Sequence, residues 1–158
     1  MAIIISLLAL LATFYQLHLQ RLHNEKSLKP LGQIDVGDRK KHLFVHIQNN
    51  GLGPLIIDKV SFTKEGKTLE SITECLHLDP KSYWHISVKG IDKKVILPNS
   101  HLVVFDKNTE NNNPDEIDDI RKQLSQITLK VSCRDIYDNK VIFKRNLEWF
   151  SRYLSNDV

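Results

Sequence analysis

The chain has 158 residues, with 22 basic against 19 acidic side chains for a formal charge of +3, and two cysteines. So small a basic excess gives no case for nucleic acid as a partner, and two cysteines fall short of the dense framework of a small secreted disulfide scaffold. With about 20 residues given to a membrane, the remainder still suffices for one domain with its own core.

Residues 2–19, AIIISLLALLATFYQLHL, carry no formal charge. At a rise of about 1.5 Å per residue such a helix covers roughly the 30 Å of a bilayer core, so 1–20 reads as a transmembrane anchor. A cleaved signal peptide is the rival reading. Against it, no Lys or Arg precedes the apolar run, and Tyr15, Gln16 and His18 follow it in place of an Ala-x-Ala site. Within the helix Ala2, Ser6, Ala9, Thr13, Gln16 and Gln20 recur at heptad steps of four and three. Small residues admit a close neighbouring helix and Gln can bond across to it, so these six are the expected helix interface, although Ala, Ser and Thr are common in any span.

Residues 21–30 continue as a polar, helix-compatible stalk that Pro30 and Gly32 bring to a stop. Arg21, Lys26 and Lys29 are its expected membrane-surface contacts. Basic residues collect on this side of the span, which places the domain in the cytoplasm and the N-terminus outside, at an inner (cytoplasmic) membrane. Cys75 and Cys133 are then expected as reduced thiols; the inverted topology would permit a disulfide between them.

The domain, 31–158, opens where the period switches to two. Leu43, Val45 and Ile47 alternate with His42, Phe44, His46 and Gln48, a half-buried strand. Residues 49–54, NNGLGP, are dense turn chemistry. A second strand covers 55–63 with Ile56, Val60 and Phe62 on one face and Asp58 interrupting it; Glu65-Gly66 turns the chain into a third at 67–72. Residues 72–79 fit a strand or a helical turn. Residues 82–91 alternate, predicting a strand with Trp84 buried among Ile86 and Val88, and shorter strands follow at 94–97 and 101–105.

At 113–116 the sequence Asn-Pro-Asp-Glu forms a capping box with Pro at the first helical position, and Ile117, Ile120 and Leu124 then share a face. A helix near 114–125 follows. Ile127, Leu129, Val131 and Cys133 alternate with polar residues, Asp138-Asn139 turns the chain, and 140–147 returns as the last strand. The aromatic tail 149–154 suits packing on the domain or contact with the membrane. The sum is a mainly β protein, an antiparallel β-sandwich of immunoglobulin-like kind or a partly open barrel with one short helix.

No catalytic or metal-ligand spacing emerges. His42 and His46 would lie roughly 13 Å apart along one strand face, too far to share an ion without help from elsewhere. Cys75 with His77 lacks any nucleophile–base context, the 107–119 loop does not match an EF-hand, and Gly51-Leu52-Gly53 is not followed by the Gly-Lys-Ser of a phosphate loop. No cofactor or metal is expected.

The span, then Tyr15-Gln16, Arg21, His23-Asn24, Ser27-Leu28-Lys29-Pro30, and a strand running into Asn49-Asn50-Gly51-Leu52-Gly53-Pro54-Leu55-Ile56-Ile57 together resemble the small single-pass bacterial membrane proteins that carry a cytoplasmic β-sheet domain. The resemblance covers mainly residues 1–63. It implies the same topology and fold, but no activity and no catalytic residues. The function expected is a membrane-tethered interaction module, not an enzyme, that binds a protein partner or itself through anchor and sheet domain. The alternative is a ligand-gated membrane effector or sensor, such as those of bacterial antiviral signalling, whose sheet domain binds a small molecule such as a nucleotide; no pocket signature supports it.

Overall fold

A computed structural model describes residues 2–39, 41–86 and 93–154. Its first element is a single helix, α1 (Ala2–Ser27), with no buried residue. Anchor and stalk are thus one rod of roughly 39 Å at 1.5 Å per residue. An 18-residue window of it has a mean hydropathy of 1.9, so it is long and apolar enough to span a membrane, a test that a signal sequence near an N-terminus also passes. Two hydroxyls in its apolar part are satisfied inside the helix, Ser6 Oγ donating to Ala2 O at 3.0 Å and Thr13 Oγ1 to Ala9 O at 2.9 Å, which lets them stand in apolar surroundings.

Eight strands follow: β1 (Gly32–Arg39), β2 (His42–Asn49), β3 (Leu55–Lys64), β4 (Lys67–Leu69), β5 (Lys94–Ile96), β6 (His101–Asn108), β7 (Ile127–Arg134) and β8 (Lys140–Asn146). They form two antiparallel sheets, one ordered β1-β2-β6 and one β4-β3-β7-β8 with β5 also paired to β3. The second helix, α2 (Pro114–Ser125), lies between β6 and β7. Both sheets and α2 contribute to one core, with Leu43, Ile47, Phe105, Leu55, Leu129 and Leu124 among its fully buried members. The architecture is therefore mixed α/β with antiparallel sheets rather than mainly β. Among the described residues neither a closed barrel nor sandwich packing is seen. The two sheets approach along β1 and β8, where Arg145 Nη1 donates to Ile34 O at 2.7 Å and the Phe143 ring fills the space a side chain at Gly32 would need.

Local chemistry explains most boundaries. Asn113 Oδ1 accepts from Glu116 N at 2.8 Å and Glu116 Oε2 accepts from Asn113 N at 3.3 Å, the expected capping box. Ile120 and Leu124 are buried, as is alternate β7 from Ile127 to Cys133. The 72–79 segment resolves into a short 3-10 turn, Ile72–Glu74, capped by Ser71. The aromatic tail packs on the domain: the 3-10 turn Leu147–Tyr153 lies against α2, with Phe150 fully buried.

Two strands depart from simple alternation. In β3 the pairing with β7 shifts between Ile57 and Lys59, so Leu55 and Ile57 are buried before Asp58 and Val60 and Phe62 after it; Ile56 is only half-buried. A bulge at Asp58 reverses the parity. Trp84, expected in the core, is 80% exposed, while Tyr83 is buried with its ring centroid 5.0 Å from that of Phe105. The cause is a 3-10 turn, Pro80–Ser82, capped by Asp79, which delivers the chain to β6 one residue out of the expected phase. There Trp84 exchanges backbone bonds with Asp106 at 2.7 and 2.9 Å. The remainder of that expected strand, 87–91, lies outside the described residues.

Helix α2 is fastened to β1 by charge. The Asp38 carboxylate, its side chain 3% exposed, accepts from Arg121 Nε at 2.8 Å and Nη2 at 3.0 Å, and Asp118 takes Arg121 Nη1 at 2.7 Å. The hydrogen bonds Arg121 donates to Asp38 lead the effects that raise the Arg121 pKa. Removing one side of a buried pair leaves the other uncompensated. Asp38→Ala is expected to lower unfolding free energy by about 2–3 kcal/mol, the low end because Asp118 remains, as measured by urea unfolding of the full chain in detergent.

Candidate functional site

Two places in the fold gather chemistry. The first is where α1 hands the chain to the domain. Asn49, at the end of β2, is fully buried. Its Oδ1 accepts from Leu31 N at 3.2 Å and Gly51 N at 3.0 Å, and its Nδ2 donates to Gly53 O at 2.8 Å and Ile96 O at 3.0 Å. Asn50 N adds a bond to Leu31 O at 2.8 Å. One carboxamide thus ties the helix exit, the β2–β3 loop and β5, using all four of its bonding positions. The glycines of NNGLGP serve this clasp. A Cβ on Gly53 would meet Leu28 O, and one on Gly51 would meet Lys29 O and Leu31 N. Close approach, not positive φ, is what requires them here.

Of the residues expected at the membrane, Ala2, Ser6, Ala9, Thr13, Gln16 and Gln20 are all exposed along α1. Arg21 pairs with Glu25 at 3.4 Å on the helix surface. Lys26 and Lys29 line an open cleft of about 260 Å³ between the helix end and the β7–β8 hairpin, with Asp135, Asn139 and Lys140 opposite. Asp135 is occupied by its own turn, accepting from Tyr137 N at 2.8 Å, Asn139 N at 2.9 Å and Asn139 Nδ2 at 2.8 Å. Burial opposes its charge, but these bonds together with Lys29 hold its carboxyl below the usual range.

The second place is the outer face of β1-β2-β6. His42 Nε2 lies 2.6 Å from Asp106 Oδ1 and His46 Nε2 3.3 Å from Asp106 Oδ2, so one carboxylate bridges the two histidines. Phe44 stacks on His46 with centroids 4.6 Å apart, and His46 on His101 at 4.4 Å. Beyond Asp106 opens a cleft of about 460 Å³ lined by Lys81, Ser82, Tyr83, Trp84, Asp106 and Asn108. Sequence reasoning missed Asp106, which falls just past the expected strand. No spacing could have found it, because the β2–β6 register steps from Val45↔Phe105 to His46↔Val103. Val104 is the extra residue, and it brings His101 and Asp106, five apart, onto one face that plain alternation would deny them.

Burial lowers the His46 pKa and His101 pushes the same way; Asp106 and Asp35 oppose without prevailing. The unfolded chain therefore takes up more protons on acidification than the folded one, so His46 costs no stability above its ordinary value of 6.5 and destabilises as pH falls through it. Elsewhere burial pushes both Cys75 and Cys133 up to about 11, so neither is a thiolate at neutral pH, and both are free. Among the described residues no group of three or more His, Cys, Asp or Glu is placed to hold a metal.

The fold and these sites define a class: a small mixed α/β domain of antiparallel sheets clasped to the end of an apolar N-terminal helix. No protein-family model matches the chain, and no curated protein is significantly similar to it.

Asn49→Ala would leave Leu31 N and Gly51 N without their acceptor, at roughly 1–3 kcal/mol for each orphaned buried group. Full-chain unfolding in detergent should show a loss of at least about 2 kcal/mol. In NMR titrations of His46, Asp106→Asn is expected to move its midpoint further down and His101→Gln to move it up.

Proposed function

We propose that this chain is a membrane-tethered interaction module without catalysis, held by α1 with its domain in the cytoplasm, that binds a protein partner or a second copy. The observation that carries the reading is Trp84. A tryptophan side chain 80% exposed, whose backbone is bridged to Asp106 on the strand pair that carries the Phe44–His46–His101 stack, is an aromatic anchor with polar groups around it. Such residues dominate association energies. The backbone around Trp84 is fixed by its bridge to Asp106, so the side chain is presented rather than loose, which lowers the ordering cost of binding. The small-residue stripe Ala2, Ser6, Ala9, Thr13, Gln16, Gln20 offers a second contact within the membrane.

The cleft of about 460 Å³ under Trp84 favours one further reading, that of a ligand-gated effector or sensor. It is of a size that small ligands occupy, and Lys81 and Asn108 on its wall suit a polar ligand such as a nucleotide. Its width open to solvent favours a protein surface over an enclosing pocket.

Trp84→Ala is expected to weaken association by about 2 kcal/mol or more, read as the concentration at which the assembled full chain, extracted gently in detergent, falls apart. The unfolding midpoint should not move, because the indole contributes little to the core. An unchanged dissociation concentration would overturn the Trp84 reading, and saturable nucleotide binding lost in the same variant would establish the sensor in its place.

A further inference from the structure

We infer that the helix-exit end of the domain is a lipid-contacting surface, seated in the interface of the same bilayer that α1 crosses. The inference rests on the reading of α1 as a membrane anchor and goes beyond it, because a tether alone leaves the domain free of the bilayer.

Strand pairing puts four connections at one end of the molecule. The pairs Gly32↔Asn49, Gln48↔His101, Leu55↔Ile96 and Arg134↔Lys140 bring the chain leaving α1, the β2–β3 loop, the β5–β6 turn and the β7–β8 hairpin around the helix exit. Outside α1, nine large apolar side chains are exposed among the described residues, and six of them belong to these connections: Leu28, Leu31, Leu52, Leu97, Ile136 and Tyr137. At the opposite end the turns at 64–67 and 109–113 carry none among the described residues; the exposed Trp84 stands on the outer face toward that end, bridged to Asp106. Leu52 is 69% exposed and Leu97 61%, although both sit on rigid supports, one in the loop clasped by Asn49 and the other next to Ile96, whose carbonyl the same Asn49 holds. Exposed apolar residues on a fixed base, collected at one pole, mark a surface that water does not normally cover.

The chemistry of the occupant follows from continuity. α1 leaves this pole with its last turns rich in charge, and Lys26, Lys29 and Lys140 stand around the apolar rim, the pairing of apolar insertion with cationic contact that anionic headgroups attract. Tyr137 suits the interfacial belt, where an aromatic body and a polar tip each find their medium. The buried carboxylate of the pole, Asp135, stays ionised, but its charge is taken up by three bonds within its own hairpin and faced by Lys29. The chain leaving α1 lies among these residues, with Leu28 to Leu31 against the Gly51–Gly53 loop and Lys26 and Lys29 across a cleft from the β7–β8 hairpin. A bilayer is the partner that surrounds that helix.

The test uses single-cysteine labelling of the full chain, since Cys75 and Cys133 are buried and un-ionised at neutral pH. Leu52→Cys and Leu97→Cys report the rim, Lys67→Cys the far end and Leu8→Cys the helix, each carrying an environment-sensitive fluorophore. The proteins are placed in vesicles of phosphatidylcholine and phosphatidylglycerol. Rim labels are expected to be quenched by doxyl lipid and shielded from iodide several-fold more than the label at 67. Quenching at 8 with rim labels matching position 67 would overturn the seated surface and leave the anchor standing. Absence of lipid quenching at 8 would overturn the anchor itself.

Discussion

Everything in this molecule hangs on the burial of one carboxamide. A primary amide has two donors and two acceptor positions, and Asn49 spends all of them at the helix exit, on Leu31 N, Gly51 N, Gly53 O and Ile96 O. The bonds to Gly51 N, Gly53 O and Ile96 O are buried, and there an unmet backbone group carries the full desolvation cost. The result is a joint: the chain from α1, the end of β2, the start of β3 and the end of β5 meet at a side chain that cannot be exchanged for an apolar one. Gly51 and Gly53 let the backbone of 28–31 lie directly on the loop. The domain is therefore not strung on a flexible linker but fixed to the last turn of its helix.

That joint gives the two ends of the domain different chemistry. The pole at the helix exit is apolar with lysines around it, while the far end is polar and closed by α2, whose Arg121 is held by Asp38 and Asp118. Between the poles, the outer face of β1-β2-β6 presents histidines bridged by Asp106 and the exposed Trp84. With α1 in a bilayer, as proposed, such a joint would set which surface meets lipid and which faces away from it.

The elements whose cause is local were legible in the sequence. The Asn113–Glu116 capping box gave the start of α2, alternation from Ile127 to Cys133 gave β7, and an uncharged apolar run gave α1. What escaped depends on two strands at once. A bulge is defined by its partner's register, so neither the parity switch at Asp58 nor the one at Val104 has a sequence signal of its own. With Val104 unread, Asp106 could not be placed beside His42 and His46, and the two histidines, separated along their strand, looked unrelated. Hydrophobicity alone points Trp84 into the core, whereas the capped turn at Pro80–Ser82 sets the phase and buries Tyr83. The Gly and Asn content of residues 49–54 marks a turn, which they form, but the reason for the glycines lies in the chain from 28 to 31, far back in sequence.

The most direct measurement of the account is the native mass and composition of the full-length protein, released gently from its own membrane. A membrane-tethered interaction module predicts a defined species larger than one chain with its detergent, made either of further copies or of this chain with a second protein. A mass of one chain plus detergent, with nothing accompanying it, would contradict that reading and leave a lone tethered domain.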